Sequence, residues 1–131
     1  MSIAYNYNRQ IEPPAPLISV TVSCPEDADL FMSAPALLDT GADYSVITDT
    51  ICKKLMLLPI GEVYVESFRG EGDVHQIYPV NFKIHEWRFT QIPVLVGTEH
   101  YVILGRDILN HFDLRLNGIE QKFELIRGPE L

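Results

Sequence analysis

Ala36-Leu37-Leu38-Asp39-Thr40-Gly41-Ala42-Asp43-Tyr44-Ser45-Val46-Ile47 decides how the rest of the chain is read. An apolar run feeds a carboxylate into a tight Thr-Gly turn, and a second apolar run leaves it. Such a turn presents Asp39 at the end of a buried strand, where solvent is limited and a carboxylate can act as an acid or a base. Asp and Gly are also ordinary turn formers, so the tripeptide alone could be no more than a loop. Average composition would produce it in only about 2% of chains of this length.

A second stretch some sixty residues downstream repeats the logic: Val102-Ile103-Leu104-Gly105-Arg106-Asp107-Ile108-Leu109, an apolar run, a glycine, then Arg-Asp opening a short amphipathic helix. In this order and at this separation the pair closely resembles the retroviral-type (retropepsin-like) aspartic protease family, over roughly residues 17 to 126. The resemblance implies an all-β fold, a mostly antiparallel closed β domain with one or two short helices.

Working outward, Leu17 to Val22 alternates and is β-branched, as a half-buried strand should be. Leu30 to Leu38 reads as a second strand, bent or interrupted at Pro35. Thr48 is a predicted N-cap for a helix of about ten residues, with Asp49 in its first turn, Lys53 and Lys54 near its end, and Ile51, Leu55 and Leu58 as its buried stripe. Two alternating segments around Arg69-Gly70-Glu71-Gly72-Asp73 predict a hairpin from about Val63 to Tyr78, with Val80, Phe82 and Ile84 on one face of the returning arm. Glu86-Trp87 begins another strand, Arg106 to Phe112 is the closing helix, and the segments flanking Asn117-Gly118 form a last hairpin. Residues 1–16, ending in Glu12-Pro13-Pro14-Ala15-Pro16, read as a flexible arm with little to bury, ahead of a protease-like domain over 17–131.

Composition bounds the function. The 131 residues are 47% hydrophobic and 21% charged, enough for one core. Eighteen acids against ten bases give a net charge of −8, which repels nucleic acid and anionic membranes alike. No apolar run reaches transmembrane length and the polar N-terminus predicts no signal peptide, so a soluble, cytoplasmic protein with free Cys24 and Cys52 is expected. His75, His85, His100 and His111 are scattered, so neither a metal nor a cofactor is expected.

The resemblance assigns the remaining roles. Hydrolysis by paired carboxylates needs two Asp side chains sharing one proton, and this chain has a single Asp-Thr-Gly, so the family pattern implies a homodimer with Asp39 opposite Asp39. Thr40 and Gly41 complete the catalytic turn, Thr40 by bonding across the two-fold axis. Gly41, Ala42 and Asp43 would contact a peptide or protein substrate. Arg106, with Gly105 before it, would support the loop by pairing with Asp43. The hairpin takes the position of the family's flap, with Phe68, Arg69 and Gly70 at the substrate, although this tip is more charged and has fewer glycines than the retroviral one. Ala42 offers no hydroxyl to the catalytic carboxylate. Two functions of different class fit these residues, an active homodimeric endopeptidase and a protease-like module that dimerises or binds peptides without cutting.

Overall fold

The computed structural model describes residues 2–66 and 69–128. Its ten strands and two helices run β1 Ser2–Asn6, β2 Leu17–Cys24, β3 Asp27–Leu38, β4 Val46–Thr48, α1 Asp49–Lys54, β5 Gly61–Glu66, β6 Gly72–Ile84, β7 Trp87–Gly97, β8 Val102–Leu104, α2 Arg106–Leu109, β9 Asp113–Asn117 and β10 Lys122–Ile126. The larger sheet has the order β2-β3-β8-β4-β7-β6-β5, and β6 pairs again with β2. Six strands thereby close on themselves, which removes the open edges of a flat sheet.

The alternation seen in the sequence is what fills this closed sheet. Ile18, Val20 and Val22 of β2, Val80, Phe82 and Ile84 of β6, and Phe89 and Val94 of β7 are all buried in one core. The long β6 serves two purposes. Tyr78–Ile84 pair with β7 inside the barrel, while Gly72–Ile77 run out of it and pair only with β5, so the hairpin projects as an extension. Where β6 shifts register between Val80 and Phe82, the Asn81 side chain accepts a hydrogen bond from the Gln91 N–H at 2.9 Å, satisfying a donor that the irregularity frees.

β8 holds the site together. Its three residues pair in parallel with Ala36–Leu38 of β3 and meet Val46 of β4 on the other side, so the strand that delivers Asp39 and the strand that leaves it flank the same slat. The two motifs of the sequence are one piece of sheet.

Four expectations need correcting. Residues 1–16 are not simply an arm: Ser2–Asn6 form β1, which pairs with β10 over five residues in the sheet β1-β10-β9, and Ile3 is buried there. A single buried isoleucine and long-range pairing anchor it. β3 is not interrupted at Pro35, which lies opposite Ser19; the proline is tolerated because the second edge of β3 is unpaired with β8 until Ala36. The first helix spans six residues rather than ten, and Leu58 is 78% exposed while Leu57 is buried. Met56 is the cause. At φ 52° it stands just past the last helical turn, its N–H bonding Lys53 O and that of Leu57 bonding Cys52 O, the paired bonds of a left-handed helix stop that turns Leu57 inward. Finally, α2 ends at Leu109, and the chain reaches Phe112 through tighter i→i−3 bonds.

Thr48 caps α1 as expected, its Oγ1 accepting from Ile51 N–H at 3.1 Å. Cys24 and Cys52 are free thiols. Burial first, then the nearby Asp49 carboxylate, push the Cys52 thiol above its usual range.

Candidate active site

Asp39 is half-buried where β3 ends. Its backbone N–H donates to Leu104 O at 2.9 Å, extending the β3–β8 pairing by one residue, and its Oδ1 accepts from Gly41 N–H at 2.9 Å. The carboxylate is thus oriented by the turn it opens. The turn closes as Ala42 N–H donates to Asp39 O at 3.2 Å, and Ala42 O accepts from Arg106 N–H at 2.9 Å.

Arg106 pairs with Asp43 through Nη2, and its Nη1 donates to Thr40 O at 2.8 Å. One guanidinium therefore clamps both shoulders of the Asp-Thr-Gly turn. Its energy is smaller than a buried pair would give: the two side chains are 44% and 75% exposed. Pairs so open to water contribute about 0.2–1 kcal/mol, against about 3–5 kcal/mol lost on breaking a buried one.

The stronger anchor is a pair that the motif reading passed over. Ser45 is fully buried, and Asp107 accepts both its N–H, at 3.0 Å, and its hydroxyl, at 2.7 Å; Ser45 Oγ in turn accepts from Gly105 N–H at 3.1 Å. Removing the Asp107 carboxylate would leave two buried donors unsatisfied, at about 1–3 kcal/mol each. Ser45 stands inside an apolar run and Asp107 at the start of a helix, positions that look like a strand's polar neighbour and a first-turn acid. The only signal was their adjacency to Val46 and Arg106.

Gly105 is needed for its lack of a side chain. A Cβ there would lie 2.8 Å from Ala42 O and 2.9 Å from both Tyr44 C and Tyr44 O. The loop bearing Asp43 and the start of α2 pack backbone to backbone, which only glycine allows.

A cleft of about 780 Å³ opens beside the turn. Gly41, Ala42, Asp43, Tyr44, Val46 and Leu95 form its barrel side, and Tyr64, Val65 and Glu66 of β5 its other side. Of the residues expected at substrate, Gly41, Ala42 and Asp43 line it; Asp39 and Thr40 belong to the adjoining turn, and Arg69 and Gly70 are exposed at the hairpin tip and do not line it. Phe68 lies outside the described residues. Tyr44, Val46, Tyr64, Glu66 and Leu95 enter the site through the fold alone. Among the described residues no group of three or more His, Cys, Asp or Glu could hold a metal, and no helix is long and apolar enough to cross a membrane.

A strand-borne Asp-Thr-Gly turn clamped by a Gly-Arg-Asp helix start, inside a closed β domain, is the arrangement expected of the retropepsin-like aspartic protease family. The family described as "gag-polyprotein putative aspartyl protease" matches residues 32–111, from within β3 through α2, and the chain belongs to it. Among solved structures it is similar to a retropepsin-like aspartic protease from Rickettsia conorii, at 19% identity and a TM-score of 0.68, covering 95% of this chain and 90% of that one. It is also similar to the EIAV protease, solved in complex with the inhibitor HBY-793, at 27% identity and a TM-score of 0.55, covering 81% of this chain and 92% of that one. No curated protein matches.

Proposed function

We propose that this protein is an aspartic endopeptidase whose active site forms when two copies place Asp39 against Asp39. The observation that carries the reading is a carboxylate oriented at the end of β3 by Gly41 N–H, on a backbone that Leu104 O fixes through the Asp39 N–H, in a chain with a single Asp-Thr-Gly. One carboxylate cannot be charged base and neutral acid at once. An isologous dimer supplies the second without a second motif.

In this mechanism the charged carboxylate of the pair takes a proton from a water, which attacks the scissile carbonyl. The protonated carboxylate donates a hydrogen bond to the carbonyl oxygen and stabilises the charge that develops there. The proton taken from water then goes to the leaving amine. Thr40, exposed beside the dyad, ties the two turns together; Gly41 O accepts from the substrate backbone, and Ala42 and Asp43 contact it further along. The β5–β6 hairpin, with Arg69 and Gly70 at its tip, closes over the bound peptide and excludes water. That the similar EIAV protease is described as complexed with an inhibitor supports a site that takes a ligand.

The test is cleavage of an unstructured protein across pH. Because one carboxylate must be charged and the other protonated, kcat/KM should be bell-shaped in pH. A hydroxyethylene peptide, whose hydroxyl stands in for the tetrahedral intermediate, should inhibit it. No cleavage by a verified dimer, or a rate that rises steadily into alkaline pH, would refute the assignment.

A further inference from the structure

The cleft carries a charge asymmetry that bears on substrate class, and the inference from it rests on the protease reading above. Its floor is apolar, formed by Ala42, Val46 and Leu95, and Tyr44 and Tyr64 add ring surface. Two carboxylates line it. Asp43 is matched by Arg106, but the residue directly opposite Glu66 in the hairpin is Gly72, which has no side chain, and no salt bridge links Glu66 to a cation among the described residues. Glu66 also shares a smaller concavity of about 370 Å³ with Glu71, Asp73 and His75. Arg69 at the tip and His75 are the basic residues of the described hairpin, against Glu62, Glu66, Glu71 and Asp73. Among the described residues no Lys or Arg lines the cleft itself.

A lysine or arginine side chain fits such a place in both of its parts. Its methylene stem covers apolar surface while its head stays polar, and tyrosine faces attract the cation. An acidic side chain would instead meet the like charges of Glu66 and the dyad. We propose that the cleft selects peptides bearing Lys or Arg in the subsite beside Glu66. Because the dimer repeats that subsite by two-fold symmetry, one basic residue is favoured on each side of the cut, at equal distances from it.

The probe is a hydroxyethylene peptide in which Lys, norleucine or Glu is moved one position at a time along each side of the isostere, with binding measured calorimetrically. At one position on each side Lys should bind about fivefold tighter than norleucine, the upper range for a partly exposed ion pair, and Glu more weakly than either. The Lys advantage should shrink as salt is raised. In Glu66→Gln the Lys-to-norleucine ratio should fall to near one, and in Glu66→Lys the Glu peptide should overtake the Lys peptide. A scan with no position favouring Lys, or a Lys preference unchanged in Glu66→Gln, overturns the proposal. Scissile versions of the same peptides separate it from the protease reading. Lys-selective binding without cleavage keeps the subsite and sinks the endopeptidase, whereas cleavage without Lys preference does the reverse.

Discussion

Asp39→Asn is expected to lower the rate of peptide cleavage by at least about 10³-fold while leaving the fold intact. The contacts that set the Asp39 side chain survive the change. Gly41 N–H needs only an acceptor, and the asparagine carbonyl oxygen can stand where Oδ1 stood; the bond from residue 39 N–H to Leu104 O is backbone and indifferent to the side chain. An amide cannot take a proton from water, so the chemistry is lost while the turn is kept. Melting curves of variant and wild type should coincide. Cleavage by Asp39→Asn within tenfold of wild type would remove Asp39 from the mechanism.

Gly105→Ala should damage the site from the opposite direction, by destabilising the protein around an unchanged Asp39. The added methyl meets Ala42 O and the Tyr44 carbonyl group at 2.8 to 2.9 Å, and these are backbone atoms with little freedom to retreat. Ala42 O is bonded by Arg106 N–H, and Ser45, next to Tyr44, is bonded twice by Asp107. Overpacking at so constrained a position costs about 3 kcal/mol, a fall in Tm of about 10 °C for a chain of this size. Gly118→Ala is the control. A Cβ at Gly118 meets nothing within 4 Å, and its Tm should move little. Equal melting of the two variants would mean that the backbone contact at Gly105 does not matter to stability.

What the sequence showed and what it hid divide along the range of the interactions involved. The end of β3 at Leu38, the Asp39 turn and the β5–β6 hairpin are written in neighbouring residues as apolar runs, period-two alternation and turn chemistry, and they stand close to where they were read, although β3 begins at Asp27 and runs through Pro35. The Asp43–Arg106 pair was reached by family resemblance, but its exposure, and so its small energy, depends on packing that no spacing reveals. The stop at Met56 was invisible because the left-handed position carries a methionine where glycine is the usual marker. β1 was missed because its one buried residue, Ile3, is set among exposed ones, and its partner lies at the other end of the chain. Ser45 and Asp107 were each readable as ordinary, and only their meeting across 62 positions makes them an anchor.

The claim on which the mechanism depends is that two copies share one catalytic pair. Wild-type chain at fixed concentration, mixed with increasing Asp39→Asn chain and re-equilibrated through dissociation, measures this directly. If each site needs Asp39 from both copies, activity should fall toward zero as wild-type chains become paired with inactive ones. Activity that stays proportional to wild-type chain, however much variant is added, would show that a single copy suffices and would contradict the shared dyad.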